Sequence, residues 1–562
     1  MYLDDSTYTR DGKTYRRVLL RHSYRENGVI KKKLIGNLSD CTDEEIEAMK
    51  IALNHKNHIA QLKQLAAGEA IAGKILGSVL LIYNVAKQLG IQKILGKSNE
   101  ALFVMWLIMT RLIDQGSRLS AVRLARIHAG CELLGIDTIN EDYLYKALDW
   151  LHTQHGMIEQ KIFQQWTVNK QPHKQNTLFL YDVSSSYFEG EYNELARYGY
   201  NRDKKKGKKQ LVWGLLTDEE GEPMAIEAFE GNTSDTSTVR AQVEKIKNRF
   251  GCKHVTMVGD KGMLKSLQIE AIHNEAWNYI TSITKAQIET LIHNGSFQLE
   301  FFTDELVEIE DTEGEIRYVL HRNPVRANEI SDNRESKIAS IEKKVQEGNQ
   351  YLKDHPRAKA ETRKRNLEKY INKVKLDGVV EIKHQVKNKR HLICKVNENN
   401  LKEKAKLDGC YVIKTNLPKA VTAKEIIHQR YKALAEVERG FRTSKSILKV
   451  RPIHLRKKER TIASLMICML AYKIQRHLEN KWRGLDMTVD EGLQTLNKII
   501  ELKIKIGKAE VIRTTKPDVE CEKLLKLVDV VIPEVLPNKT TRVVTYKNLV
   551  SRRKIKSEKR LG

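Results

Sequence analysis

The spacing of apolar positions changes several times along the chain, and each change marks a boundary. In residues 1–40 the runs TYRRVLLRHSY and GVIKKKLIGNL flank Glu26-Asn27-Gly28. Asn-Gly between two such runs predicts a β-hairpin. Thr42-Asp43-Glu44-Glu45 has the spacing of a capping box and opens a helix that runs through Asn54 or beyond. From about 70 to 168 the pattern is helical, as in SVLLIYNVAKQLG, ALFVMWLIMTRLI and EDYLYKALDWLHTQHG. Leu144, Leu148 and Leu151 recur there at helical spacing, which predicts core. Residues 41–170 thus read as a helical region, and basic helical regions often bind DNA.

The texture turns to strand at about 176. TLFLYDVSSSYF, QLVWGLLTDEEGEP and MAIEAFEG are three strands in succession. GNTSDTSTVRAQVEKIKNRFG is a helix with polar residues at its start, HVTMVGDKG a fourth strand, KSLQIEAIHNEA a helix and WNYITSI a fifth strand. That element order is the order of an RNase H-like core, a mixed sheet with helices. Residues 176–286 hold its first part.

Residues 287–422 interrupt the core. They carry strand candidates (SFQLEFF, RYVLHRN, VVEIKHQV, HLICKV, GCYVIKTN) and a charged helical hairpin about Asp354-His355-Pro356. Ile338, Ile341 and Val345 on one arm face Leu367, Ile371 and Val374 on the other as a narrow apolar seam. Residues 423–480 return to long helices and complete the core. Residues 481–562 read as a helical C-terminal region ending in a polar, basic tail. The fold class is therefore multidomain α/β: an RNase H-like core interrupted by a β-rich insertion, with an N-terminal β-hairpin plus helical region and a helical C-terminus.

Composition narrows the partner. The 562 residues include 98 Lys plus Arg against 72 Asp plus Glu, a net charge of +26 and a pI near 9.5. A charge of that size points to a polyanion, with nucleic acid ahead of an anionic membrane surface. The longest apolar run, Ala101 to Met109, is about half of the ~20 residues that span a bilayer. The N-terminus is polar and is not a signal peptide. Seven scattered cysteines without a C-x-x-C pair argue against a zinc site or a disulfide framework. The expected location is cytoplasmic, and nucleoid-associated when the protein is bound to DNA.

Much of the charge is clustered. The hairpin carries Arg16, Arg17, Arg21, Arg25 and Lys31 to Lys33. They read as either a solvated, aggregation-blocking edge or a phosphate-contacting arm. Lys204, Lys205, Lys206, Lys208 and Lys209 lie between the first two core strands. The plain reading is a solvated hairpin tip. DNA-backbone contact is favoured because the loop leaves the core sheet. The stretch Lys445 to Arg460 and the tail hold the rest.

Three acidic residues sit where acids are costly or ligands bind. Asp182 interrupts an apolar strand, which demands pairing or a metal; hydrogen bonds from Ser184 to Ser186 are the alternative. Asp260 follows the apolar strand HVTMV, at the strand end where open α/β sheets place ligands; capping the next helix is its alternative. Glu438 lies mid-helix, where a surface ion pair is the ordinary reading. Tyr431, Glu438, Arg442 and Lys445 fall at offsets of 0, 7, 11 and 14, which puts all four on one helical face. Three carboxylates from two strands and a helix of such a core suit two Mg²⁺ ions clamping an in-line phosphoryl displacement.

Three blocks carry a resemblance: YDVSSSYFEG continuing into the basic loop and the next strands, VGDKGM, and YKALAEVERGFRTSKSILKVRPIHLRKKERTIASLMICMLAY. The chain resembles bacterial insertion-sequence transposases of the DDE superfamily, and more narrowly the family-four insertion sequences and their close relatives. Tyr431, Glu438 and Lys445 match that group's Y-x2-R-x3-E-x6-K signature, with Leu434 at the Arg position. Arg442 or Arg439 could replace it, and Arg442 lies on the better face. The resemblance implies that Asp182, Asp260 and Glu438 are a catalytic and metal-holding triad for two Mg²⁺, which Mn²⁺ can replace. It implies cleavage of the element's terminal inverted repeats and joining of the freed 3′-OH to target DNA. Tyr431, Arg442, Lys445 and the Lys204–Lys209 cluster would contact DNA, and the protein would work as a homodimer on paired ends. A structure-specific nuclease without strand transfer and an inert DNA-binding repressor are the rival readings.

Overall fold

The computed structural model describes residues 1–54, 56, 69–170, 177–311, 313–506, 509–536 and 539–545. The basic tail from 546 onward lies outside the described residues. The chain divides into two units. One comprises Met1–Ala86, Gly116–Glu141 and Leu478–Gly562, the other Lys87–Gln115 and Asp142–His477.

The first unit opens with three antiparallel strands, β1 (Tyr2–Arg10), β2 (Lys13–Glu26) and β3 (Val29–Asn37), in the order β1-β2-β3. Asp11-Gly12 and Asn27-Gly28 turn the chain, all four residues at positive φ, as two-residue turns matched to strand twist require. The predicted hairpin is β2–β3, and Asp11-Gly12 adds a third strand to it. Thr42 caps the helix Asp43–Asn54: its Oγ1 accepts from Glu45 N at 3.3 Å, and Glu45 Oε2 accepts from Thr42 N at 2.8 Å. β4 (Glu69–Ile75) is a strand where a helix was expected. It pairs with a distant C-terminal strand, so its conformation is set by a partner that its own spacing does not reveal. The short β5 (Thr138–Ile139) follows.

The second unit is built on an eight-stranded mixed sheet. β6 (Thr177–Tyr187), β7 (Gln210–Thr217) and β8 (Pro223–Glu230) form an antiparallel meander. β9 (Val255–Val258) lies parallel to β6 on its other side, and β10 (Asn278–Ser282) lies parallel to β9. This is the RNase H-like order expected. β7 is buried throughout and β6 at every position but Thr177, Asp182 and Tyr187, as strands covered on both faces are.

The insertion is organised differently from the expectation. β11 (Val307–Glu310), β12 (Arg317–Arg322) and β15 (Cys410–Thr415) extend the core sheet in the order β11-β12-β15-β10-β9-β6-β7-β8. SFQLEFF is not a strand; its centre, Leu299–Phe301, is a single 3₁₀ turn whose Phe297 and Phe302 point into an apolar cluster. Only β13 (Val380–Gln385) and β14 (Asn388–Val396) stand apart as a separate pair. They pack on the helical hairpin Pro324–Asp354 and Ala360–Lys373 around Ile341, Val345, Leu367 and Ile371. Ile338 and Val374 of the predicted seam flank that cluster.

Two helices, Lys424–Lys432 and Leu434–Ser446, replace the one long helix expected. The long apolar helix Lys458–Lys481 follows. Beyond it, the C-terminal region contains the helices Val489–Leu496 and Val519–Lys526. It also contributes β16 (Ile500–Ile506) and β17 (Ala509–Thr514), which join β4 in the order β17-β16-β4, and β18 (Arg542–Val543), which pairs with β5.

Candidate active site

Register brings the first two acids together. β6 and β9 run parallel with Leu180 opposite Val258. Two residues further on, that register sets Asp260 beside Asp182 at the point where β9 has ended. Each carboxylate takes the amide of the next residue: Asp182 Oδ1 accepts from Val183 N, and Asp260 Oδ1 from Lys261 N, both at 2.7 Å. Ser185 and Ser186 do not serve Asp182. Ser185 Oγ accepts from Arg202 N at 3.1 Å, and Ser186 Oγ from Trp213 Nε1 at 3.0 Å. Asp260 does not cap the next helix either, which starts at Ser266.

Packing brings the third. The helix Leu434–Ser446 buries Val437, Gly440, Phe441, Thr443 and Ser444. Phe441 meets Trp213 of β7 edge-on at 4.8 Å. Gly440 lies so close to the sheet that a Cβ there would stand 3.1 Å from Leu215 Cδ2 and 3.2 Å from Tyr472 Cε1. This close approach holds Glu438, two residues earlier, over the strand ends. Among the described residues no cation pairs with Glu438, unlike the ordinary surface reading.

The electrostatics record the convergence. Burial pushes the Asp182 carboxyl up to about 7, and the neighbouring Asp260 and Glu438 charges push the same way, against the Val183 amide and Arg202. Tyr431 is pushed up to about 12, first by burial and then by Asp260 and Glu438. Its hydroxyl donates to Ser282 Oγ at 2.7 Å. Ser282 ends β10, beside β9, so the tyrosine reaches the same corner of the sheet.

The predicted single helical face is assembled from two helices. Tyr431 belongs to Lys424–Lys432, whereas Glu438, Arg442 and Lys445 belong to Leu434–Ser446. At the junction Glu436 N bonds to Ala433 O at 2.9 Å, a tightened turn that redirects the chain. Arg442 is exposed, with no carboxylate partner among the described residues. Lys445 is mostly buried and bonds to Asp203 Oδ1 at 3.1 Å, and burial pulls its pKa down. Arg451 also pairs with Asp203. Leu434, at the signature's Arg position, is the first residue of its helix.

Lys204, Lys205, Lys206, Lys208 and Lys209 are all exposed. Lys205 lies 5.7 Å from the ring of Tyr187, the last residue of β6, and Lys209 lies 5.8 Å from that of Tyr198. Lys208 pairs with Glu189 at 3.4 Å. Three residues of the neighbourhood, Asp235, Arg202 and Asp203, were not anticipated. Asp235, the first residue of the helix Asp235–Asn248, pairs with Arg202 at 2.5 Å. A Cβ on Gly262 would lie 3.7 Å from Asp260 Oδ2 and 4.0 Å from Asp235 Oδ2, so Asp235 is a fourth carboxylate at this corner. The only signal for it was the polar start of its helix, which also fits a helix that merely favours acids in its first turn.

The donors are hard oxygens and their charges crowd one another, which suits a divalent cation. Among the described residues, however, no three His, Cys, Asp or Glu side chains are gathered tightly enough to hold one ion.

The family matches follow this geometry. Residues 172–474 match the family described as "Transposase DDE domain". The chain belongs to the DDE transposases. It is an enzyme of that type, and the match spans the strands and helices that carry Asp182, Asp260 and Glu438. Residues 4–67 match the family described as "IS1634 family transposase, N-terminal domain". No curated protein matches the chain. Among solved structures, this transposase is similar to piggyBac transposase in a synaptic complex with hairpin DNA (TM-score 0.35, 8% identity, 71% of this chain and 70% of that one). It is also similar to Mos1 transposase in a paired-end complex with the left transposon end (TM-score 0.14, 10% identity, 33% of this chain and 58% of that one). No helix among the described residues is long and apolar enough to cross a membrane.

Proposed function

We propose that this transposase binds the terminal inverted repeats of an insertion sequence, hydrolyses the phosphodiester at each end, and joins the freed 3′-OH to target DNA. The chain would act as a homodimer on paired ends. Its insertion sequence would fall near the family-four group, on the Tyr431-Glu438-Lys445 spacing, with an N-terminal region of the IS1634 type. The observation that carries the reading is the parallel register that sets Asp260 beside Asp182, with Glu438 in the same electrostatic field.

Asp182, Asp260 and Glu438 are the groups that would hold two Mg²⁺, or Mn²⁺ in its place. Bound there, the metal supplies Lewis-acid polarisation of the scissile phosphate and a water acidic enough to attack it. Asp182 and Asp260 each spend one oxygen on a backbone amide, which fixes the carboxylate plane and leaves the other oxygen for the ligand. Tyr431 keeps its proton at neutral pH and donates it to Ser282, standing as a fixed neutral wall beside Asp260. Arg442 offers its donor fork to a phosphate. An ammonium has three donors, so Lys445 can keep Asp203 and still reach a phosphate. Lys204, Lys205, Lys206, Lys208 and Lys209 would track the backbone of the flanking duplex.

The test is incubation with Mg²⁺ and a duplex carrying the terminal inverted repeat that flanks the reading frame. Wild type should cut at the end and join the product to a second duplex. Asp182→Asn and Glu438→Gln should bind the duplex and do neither. Cutting without joining, in wild type, contradicts strand transfer, and binding without cutting contradicts catalysis.

A further inference from the structure

We propose that the two-stranded ribbon formed by residues 21–26 and 29–34 enters the major groove of a DNA duplex and reads base edges there. The proposal rests on the transposase reading above and names the element that would recognise the transposon end.

The sheet is anchored at its root and unsupported at its tip. β1 pairs with β2 only from Lys13 to Arg21, while β3 pairs with it from Leu19 to Glu26. The root is tied to the helix Asp43–Asn54: Val18 and Ile46 are buried, and Asp5 pairs with Arg16 at 2.7 Å and Lys50 at 3.1 Å. Beyond Arg21 the β2–β3 pair continues alone, and every residue from 22 to 35 is exposed. A two-stranded hairpin with both faces in water is marginally stable. Val29, Ile30 and Leu34 are 63%, 60% and 56% exposed and gain nothing where they stand.

Charge complementarity identifies the occupant. The ribbon carries Arg21, Arg25, Lys31, Lys32 and Lys33 against the single carboxylate of Glu26. Two strands ~4.8 Å apart, with their side chains, fit a major groove ~12 Å wide.

The register also selects the reading face. Ser23 lies opposite Lys32 and Arg25 opposite Ile30, while His22 lies opposite Lys33 and Tyr24 opposite Lys31. The face of His22 and Tyr24 is the one that bears Val18 and Arg16, which the helix Asp43–Asn54 covers further along. The face of Ser23 and Arg25 is exposed at the tip; toward the root it carries Arg21, paired with Asp4 at 3.1 Å, and the buried Leu19, and beyond them the exposed Arg17 and the stacked rings of Tyr8 and Tyr15, 5.7 Å apart. Among the described residues neither Arg17 nor Arg25 has a carboxylate partner. Their forks suit guanine O6 and N7, and the Ile30 side chain suits a thymine methyl.

The experiment uses the full chain and two duplexes, the terminal inverted repeat beside its reading frame and a shuffled sequence of the same composition. Wild type should prefer the repeat, and methylation of guanine N7 within it should block binding. The double variant Arg17→Lys with Arg25→Lys keeps the charge and loses the forks. It should bind the shuffled duplex as before and lose roughly tenfold or more of the preference. A double variant that keeps the preference overturns the proposal. So does an Ile30→Asp variant that dissolves a dimer and leaves the preference untouched, because the ribbon then pairs with a second copy. A wild type with no preference overturns the end-binding reading itself and this proposal with it, a result distinct from the first two.

Discussion

At the scale of single residues, the site depends on a glycine as much as on its acids. Gly440 lets the helix bearing Glu438 settle against Leu215 and Tyr472, with no room for a methyl group beyond ordinary contact. Gly440→Ala should therefore overpack this layer at a cost of about 1–3 kcal/mol, of which the better helix propensity of Ala returns about 1 kcal/mol. The check is the urea midpoint together with end cleavage. Cleavage should fall further than the stability loss explains, because the helix must shift and carries Glu438 with it. Asp182, Asp260 and Glu438 stand out as candidates in the sequence because each breaks a local rule or matches a spacing. Asp235 does not, because an acid in the first turn of a helix satisfies the local rule. Arg202 and Asp203 were hidden for another reason. They gain meaning only through Asp235, Lys445 and Arg451, which are remote in sequence.

At the scale of elements, the core is held by a buried ion network. Glu159, fully buried in the helix Glu141–Lys170, accepts from Ile226 N of β8 at 3.0 Å and from Lys245 Nζ at 3.2 Å, and pairs with Arg249. Burial alone would raise its pKa; Lys245, His155 and Arg249 outweigh that and hold it at about 2, below the usual 4.5. A depressed carboxylate stabilises the fold above its unfolded pKa, and that stability is lost as pH falls through the folded one. Wild type should thus lose on the order of 3 kcal/mol between pH 4.5 and about 2 from this group. Glu159→Gln should be destabilised at pH 7, but by less than the about 3–5 kcal/mol of a fully orphaned buried charge, since the buried Lys245 keeps Glu227 at 2.9 Å. Denaturation midpoints across that pH range should show a flatter profile for the variant. The core strands were legible because a sheet covered on both faces writes continuous apolar runs. β4 was not, because EAIAGKI becomes a strand only through its pairing with β16. The break at Ala433 was not legible either, since the residues around it, YKALAEV, are ordinary helix formers.

At the scale of the whole molecule, the charge of +26 divides into paired and unpaired cations. In the Lys445 to Arg460 stretch, Lys445 and Arg451 are held by Asp203, Arg456 by Glu191 at 2.8 Å and Arg460 by Asp149 at 2.7 Å. That stretch braces the catalytic unit and offers less to DNA than its composition suggests. The β2–β3 ribbon and the Lys204–Lys209 loop keep most of their cations exposed. The central claim is that Asp182, Asp260 and Glu438, 78 and 178 residues apart in sequence, form one metal-dependent site. Iron(II) substituted for Mg²⁺, with ascorbate and peroxide, cuts the backbone wherever the ion is bound, and mass spectrometry locates the cuts. The account predicts cleavage clustered around residues 182, 260 and 438, suppressed by excess Mg²⁺ and lost in Asp182→Asn. Cuts near only one of the three, or a pattern unchanged by Mg²⁺, would contradict it.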